Sequence, residues 1–289
     1  MTHLDARERQ LSVDASRPRL VPALVWRRLP WFAEIGVLVL GYLAYSRVRV
    51  AAPASESVAF FHSKQVWDLE RLLHIDIELI VNRIVSFGSI LADASGYYYG
   101  TLHFIVTPAV LVWLYMRRPD SYARLRSAIV ITSVLALAVF WTWPLAPPRF
   151  ALGGVVDVLA QHNILGAANP HGVSNLVNLY AAMPSLHVAW AAWCALAVYT
   201  TTTGRWRRMV WIYPAATTFV VLGTANHYLL DGVAGVAALA FALYLTRPSA
   251  TVVLRDTQPA DAEVLDRGVG DGSIVDIRRP SRPSPPQDR

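Results

Sequence analysis

Hydrophobic residues are gathered along the chain into long runs, separated by shorter segments that carry most of the arginines. The runs are apolar on every side, as helices are when a bilayer surrounds them. The pattern therefore predicts an all-α integral membrane protein, a bundle of six transmembrane helices. The runs cover residues 31–45, 97–116, 128–145, 184–199, 209–223 and 228–245.

The first run is the shortest and has two interpretations. It contains Glu34 and ends at Arg47 and Arg49, so it crosses a bilayer only if these arginines reach the headgroups. The alternative is a signal peptide, because Ala52-Pro53-Ala54 is faintly similar to a cleavage site. The long segment before the run and the proline between the alanines argue against that alternative.

The segment between the first two runs, residues 57–87, has a different pattern. Its apolar residues recur at roughly helical spacing and are interleaved with charged ones, which is typical of an amphipathic helix. A helix lying in the membrane interface suits this pattern. A satellite helix packed on the bundle is the alternative.

These patterns divide the chain into four parts. Residues 1–30 form a basic cytoplasmic arm, and residues 31–94 hold the first transmembrane helix and the amphipathic segment. Residues 95–247 form the membrane core. Residues 248–289 are polar and rich in proline, which predicts a disordered cytoplasmic tail.

Composition supports a membrane protein. The chain has 289 residues, of which 54% are hydrophobic and 16% are charged, against about 25% charged in an average soluble domain. The net charge of +6 does not indicate a nucleic-acid partner, because the basic residues flank the apolar runs and do not form one face. The one cysteine, Cys194, excludes an intrachain disulfide and a zinc site built from several cysteines.

The basic clusters predict the orientation in the membrane. The amino-terminal arm, residues 117–126, residues 204–208 and Arg247 alternate with connections poor in charge. Under the positive-inside rule, both termini are cytoplasmic and residues 146–180 are external, in a multi-pass protein of the cell membrane. The segment after the first run departs from the rule, since it carries five basic residues on the external side.

Polar residues at the external ends of three runs are the candidates for chemistry. His227 and Asp231 are four residues apart, which on a helix places them on one face. The carboxylate can then hold the imidazole Nδ1–H and leave Nε2 free to attack a substrate. The alternative is an ordinary helix start at which Asp and His act as caps.

A second candidate is the start of the fourth run. Pro184 is predicted at the first helical position, with Ser185 and His187 in the first turn. Such a helix end binds phosphate through its unpaired N–H groups and its dipole, and His187 can protonate a leaving oxygen.

Two further residues are candidates for holding phosphate or substrate. Arg149 follows two prolines and can clamp a phosphate, although an anchor to lipid headgroups explains it as well. His103 lies inside the second run, where an ionisable residue is a functional candidate by default; a hydrogen bond to another helix is the alternative. The external loop also holds His162 and His171.

Together these motifs resemble the type-2 phosphatidic acid phosphatase superfamily, which also contains the vanadium haloperoxidases. The matching stretches are Pro184-Ser185-Leu186-His187 and His227-Tyr228-Leu229-Leu230-Asp231. The resemblance implies that His227 attacks phosphorus to form a phosphohistidine, oriented by Asp231. It further implies that His187 protonates the leaving group and that Ser185 holds phosphate oxygens.

The sequence departs from the superfamily pattern at its basic positions. Thr142 and Val221 stand where a lysine and an arginine are usual, Leu186 replaces a glycine, and Arg149 lacks the following proline. The motifs look more like those of inositol phosphorylceramide synthases and their bacterial relatives. Those enzymes pass a phosphate-bearing headgroup to an alcohol instead of to water.

The leading hypothesis is therefore a membrane enzyme acting on phosphorylated lipid headgroups, phosphoinositol-like or isoprenoid-phosphate-like, at the external face. Its expected partners are a phospholipid or polyprenyl-phosphate substrate and the lipid bilayer, with no cofactor and no metal. Transferase and hydrolase both stay open. The alternatives are a six-helix transporter, a metal site formed by His187, His227 and Asp231, and a serine protease using Ser185 and His227.

Overall fold

The computed structural model describes residues 29–51, 55–166 and 179–247, and these residues are helical with no strands. Outside them lie residues 1–28 of the predicted arm, the cleavage-site segment, His171 and the predicted tail. The helices are α1 Trp31–Ala51, α2 Glu56–Leu72, α3 Glu78–Ser86, α4 Ser89–Tyr97, α5 His103–Arg117, α6 Pro119–Thr142, α7 Pro148–Ala151, α8 Val158–Gln161, α9 Leu186–Thr201, α10 Ile212–Gly223 and α11 Leu229–Leu245.

The all-helical prediction is confirmed for the described residues, and each apolar run coincides with helix. A π-helical turn, Tyr98–Leu102, joins α4 and α5 into one helix, Ser89–Arg117. That helix and α6 are long and apolar enough to cross a bilayer, whereas α9, α11 and the apolar part of α1 are shorter. The predicted boundary between residues 94 and 95 falls inside α4, because the helix continues through the polar residues that precede the apolar run.

The helix α9 lies at the centre of the fold. It packs against α5, α6, α10 and α11, and its small residues allow close approach on several sides. Trp193 is fully buried there, and its indole N–H donates to the Leu125 carbonyl of α6 at 2.9 Å. Cys194, also buried on α9, is a free thiol. The amino-terminal end of α9 is therefore held rigidly by four neighbours.

The amphipathic segment forms two helices, α2 and α3, and their buried faces combine apolar residues, Ala59, Val66 and Val85, with polar ones. Glu70 and Glu78 are fully buried, as are Ser63 and Asn82, whereas Phe87 at the end of the segment is 94% exposed. The segment packs on the rest of the protein through α2 against α7 and α11, and through α3 against α4 and α10. Its outward face carries charged side chains such as Lys64 and Asp68 together with exposed apolar ones at Phe61, Leu69, Leu72, Leu73, Ile80 and Ile84.

A buried ion pair attaches α1 to α6. Arg126 Nη1 donates to both carboxylate oxygens of Glu34, at 2.6 and 2.8 Å. The Tyr122 hydroxyl and the Leu29 backbone N–H also donate to this carboxylate, at 3.0 and 2.9 Å. Because both charges are buried and fully hydrogen-bonded, removal of one leaves the other without compensation.

We expect Glu34→Ala to destabilise the protein by about 3–5 kcal/mol, since it strands the Arg126 guanidinium in the interior. Denaturant unfolding in detergent measures this loss. The matched control is Asp68→Ala, which breaks the exposed Lys64–Asp68 pair and costs about 0–1 kcal/mol. Equal effects of the two variants would contradict a role for burial at Glu34.

Candidate active site

The start of α9 carries Ser185 and His187. Ser185 is the N-cap, and its Oγ accepts the Val188 backbone N–H at 3.5 Å, while His187 lies in the first turn. The prediction that Pro184 is the first helical residue is wrong by two positions. The helix begins at Leu186 because the Ser185 side chain already satisfies a backbone donor at its end.

The second segment of the site is the junction of residues 224–228 with α11. The helix begins at Leu229, so His227 precedes it and Asp231 lies in its first turn. The two residues meet, but not on one helical face as predicted. Asp231 Oδ2 accepts the Tyr228 backbone N–H at 2.9 Å and the His227 Nδ1–H at 3.3 Å.

This carboxylate therefore combines the two interpretations of the motif, helix cap and histidine partner. Asp231 is fully buried and His227 is 5% exposed. When Asp231 is ionised it only accepts hydrogen bonds, and the contact then places the proton of His227 on Nδ1 and leaves a lone pair on Nε2. His227 Nε2 and Asp231 Oδ1 are buried without a hydrogen-bond partner among the described residues.

A backbone contact joins the two segments. The Ser185 N–H donates to the Asp231 carbonyl oxygen at 2.8 Å, which places the starts of α9 and α11 side by side. Gly235 allows this approach, since a Cβ at that position would overlap the Ser185 carbonyl oxygen. As a result, the rings of His187 and His227 lie 5.7 Å apart between centroids.

The π-helical turn brings two more rings to His187. Tyr99 stacks on His187 at 4.3 Å between ring centroids, and His103 meets it edge-on at 4.4 Å. Tyr99 is also 6.4 Å from the ring of His227. Sequence reasoning missed Tyr99, whose only signal is its place in a run of three tyrosines before His103. A small cavity beside these rings is lined by Tyr98, Tyr99, His103, His187, Tyr213, Thr217, Val220 and Val221.

Arg149 lies in the short helix α7 beside the loop that carries His227. Its backbone N–H donates to the Ala225 carbonyl at 2.9 Å, and its guanidinium is 3.7 Å from Asp157 and 4.5 Å from the centre of the Phe150 ring. The Arg149 Nε–H is buried without an acceptor in the described part of the chain. The side chain thus retains a donor that an anionic oxygen can use.

The loop histidine His162 lies elsewhere. Its Nδ1 contacts the Asp93 carboxylate of α4 at 2.7 Å, which ties the loop after α8 to the helix bundle. This contact occupies Nδ1 of the His162 ring. The structure therefore gives His162 a partner within the protein.

Six predicted residues thus fall into one region. His187, His227 and Asp231 form a contiguous group with Ser185, His103 adjoins His187, and Arg149 reaches the group through its backbone. A nucleophilic nitrogen, a second imidazole and phosphate donors are the elements that phosphoryl transfer needs. Among the described residues, no group of three or more His, Cys, Asp or Glu side chains is arranged to hold a metal ion.

A protein-family model matches most of the described core of the chain. Residues 64–245 match the model of the PAP2 superfamily, and this match covers more than half of the chain. The chain therefore belongs to the PAP2 superfamily, the family of phosphatidic acid phosphatase type 2 that the motifs resemble. The match begins within α2, so it includes most of the amphipathic segment. Neither a curated protein nor a solved structure matches the chain.

Two positions that depart from the superfamily pattern hold either a buried apolar side chain or one that is hydrogen-bonded within its own helix. Val221 is 1% exposed and lines the cavity beside His187, so an apolar side chain stands where an arginine is usual. Thr142 is exposed, and its hydroxyl donates to the Ala138 carbonyl of its own helix at 2.8 Å. Arg149 contacts the 224–228 junction directly, through its backbone N–H.

Proposed function

We propose that the protein is a membrane-embedded phosphotransferase or phosphatase that acts on phosphorylated lipid headgroups through a phosphohistidine on His227. Membership of the PAP2 superfamily supports phosphatase-type chemistry on lipid phosphates. The observation that carries the proposal is the His227–Asp231 contact at 3.3 Å beside the His187 ring. It combines a fixed nucleophile with a nearby proton donor.

The reaction has two steps. In the first, the lone pair of His227 Nε2 attacks phosphorus, the bond to the leaving oxygen breaks, and His187 transfers a proton to that oxygen. Asp231 stabilises the positive charge that develops on the His227 ring. In the second step, His187 removes a proton from water or an alcohol, which attacks phosphorus and releases His227.

The phosphate itself needs donors that neutralise its growing charge. The first turn of α9 supplies backbone N–H groups and the positive end of the helix dipole. Ser185 and Arg149 add a hydroxyl and a guanidinium at the edge of the same region. Such fixed donors stabilise the transition state more than the ground state, which is the main source of rate in phosphoryl transfer.

The substrate reaches the site from the membrane in this proposal. The six apolar helical regions span a cell membrane, both termini are cytoplasmic, and the site opens at the external face. The exposed apolar side chains of residues 57–87 support this arrangement. Leu72, at 73% exposure, and Phe87, at 94%, then contact lipid. His103 and Tyr99 line the side of the site that faces the headgroup.

Phosphoinositol lipids and isoprenoid phosphates are the proposed substrate classes. The motifs Met183-Pro184-Ser185-Leu186-His187 and His227-Tyr228-Leu229-Leu230-Asp231 resemble those of the inositol phosphorylceramide synthase branch, which favours an alcohol as acceptor. The apolar cavity wall at Val221 and Val220 further supports a site that limits water.

We expect purified protein to consume a phosphorylated lipid in the absence of added metal. The test incubates it in mixed micelles with phosphatidic acid, phosphatidylinositol or polyprenyl phosphate, with and without an alcohol acceptor. Released phosphate and new lipid products are followed together. A ³²P label on the protein that is stable in base and labile in acid supports the phosphohistidine. Absence of turnover with every member of the panel would contradict the proposal.

A further inference from the structure

Two glutamates from the amphipathic segment hold the start of α11. Glu70 Oε1 accepts the Leu230 backbone N–H at 2.7 Å, and Glu78 Oε1 accepts the Leu229 backbone N–H at 2.9 Å. These are the first two N–H groups of the helix, which have no partner inside it. Both glutamates are fully buried, so water does not share the contact.

The remaining oxygens of the two carboxyl groups lack donors. Within the described residues, neither Glu70 Oε2 nor Glu78 Oε2 receives a hydrogen bond from an N–H or O–H group. The two carboxyl groups lie side by side at the start of α11, since they accept from consecutive backbone N–H groups. Two ionised carboxylates repel at this separation, whereas one shared proton converts the repulsion into a hydrogen bond.

The surroundings favour retention of that proton. Burial raises the pKa of Glu70 from 4.5 to about 9, and burial also raises the pKa of Glu78. The charge of Asp231 on α11 acts in the same direction on both. Titratable groups on neighbouring elements have partners of their own. Tyr228 is bonded to Ser63, and Arg149 of α7 lies beside Asp157. Asp93 of α4 contacts His162, and Tyr213 of α10 packs against Tyr98. Arg71, His74 and Arg83 of the amphipathic segment are exposed.

We propose that Glu70 and Glu78 form a singly protonated carboxyl pair that positions His227. Leu229 is two residues from His227, so the pair fixes the point at which the chain turns from the 224–228 junction into α11. The pair does not touch the phosphorus atom, and both glutamates are positioning residues. The link to catalysis rests on the proposed function, but the shared proton does not.

The proton has a defined effect on stability. The folded protein keeps a proton on Glu70 that the unfolded chain loses near the ordinary pKa of 4.5. The stabilisation is therefore complete below that pH and is lost progressively as the pH rises to about 9. In Glu70→Gln the amide replaces the protonated carboxyl, and this part of the pH dependence disappears.

Infrared spectroscopy of the full-length protein in detergent tests the proton directly. We expect a carboxylic-acid C=O band at pH 7 that Glu70→Gln removes and that Glu56→Gln, at an exposed site in the same helix, retains. Thermal unfolding from pH 5 to pH 9 provides the second measurement. As the pH rises over this range, the unfolding temperature of the wild type should fall more than that of Glu70→Gln. Absence of the band in the wild type, or its persistence in Glu70→Gln, would overturn the shared proton.

Turnover tests the positioning role. We expect Glu70→Ala, which leaves the Leu230 N–H without an acceptor, to lower kcat about 10-fold to 100-fold with little change in KM. Glu70→Gln should restore most of kcat because its side-chain oxygen still accepts that N–H. Equal loss in both variants would overturn the positioning role. If the wild type turns over no substrate, the proposed function fails while the infrared band still decides the shared proton.

Discussion

Replacement of His227 by alanine is expected to reduce turnover of the phosphorylated lipid by at least about 10⁴-fold, because it removes the nucleophile of the proposed mechanism. The base-stable, acid-labile label on the protein should vanish in the same variant. The fold should persist, since among the described residues His227 contributes only one long hydrogen bond to a carboxylate that the Tyr228 N–H also binds.

The control for this variant removes another imidazole. His74→Asn replaces an exposed histidine whose φ of 57° suits asparagine, so both turnover and unfolding should be close to those of the wild type. Initial rates and thermal midpoints of the three proteins give the comparison. Substantial activity in folded His227→Ala would exclude the nucleophilic role and leave His187 to be tested in its place.

The second large effect is expected from a single methyl group on α11. Gly235→Ala places a Cβ against the backbone of Ser185, which cannot move without displacing the start of α9. We expect a loss of about 1–3 kcal/mol in the free energy of unfolding. The separation of the two helices should also reduce turnover about 100-fold, because it moves His187 away from His227.

Gly232→Ala is the matched control, since it makes the same change one turn earlier in the same helix. Its Cβ would lie 3.6 Å from Val188 Cγ2, an ordinary contact. Alanine is the better helix former by about 0.5–1 kcal/mol, so this variant should equal or exceed the wild type in stability. Similar behaviour of the two alanine variants in denaturant would show that the close approach at Gly235 does not hold the site together.

The helical architecture was predictable because a long apolar run is compatible with few structures other than a helix. The runs locate the helices, although Ser89–Arg117 and Pro119–Thr142 begin well before their runs at residues 97 and 128. The helix starts at Leu186 and Leu229 depend on caps from Ser185, Glu70 and Glu78. Two of these caps come from sequence positions more than 150 residues away. Local periodicity carries no information about such contacts.

The site was predictable to a similar extent. His227 and Asp231 stand out by their spacing, and their contact is present, although it forms across a helix start and not along a helical face. Tyr99 was not predictable, because the π-helical turn that aims it at His187 has no clear sequence signal. The amphipathic pattern of residues 57–87 was also recognised. Spacing alone does not show that Glu70 and Glu78 lie on the buried face.

The two buried glutamates of α2 and α3 have a consequence for biosynthesis. Glu70 and Glu78 leave the ribosome long before the backbone groups of Leu229 and Leu230 that they bind, at separations of 160 and 151 residues. Until α11 has been made and inserted, the two carboxyl groups lack these backbone donors, and the contact between α2 and α11 cannot form. The start of α11 beside His227 therefore gains its two glutamate caps only after α11 has been made, so under the proposed function a nascent chain that lacks α11 does not act on lipids.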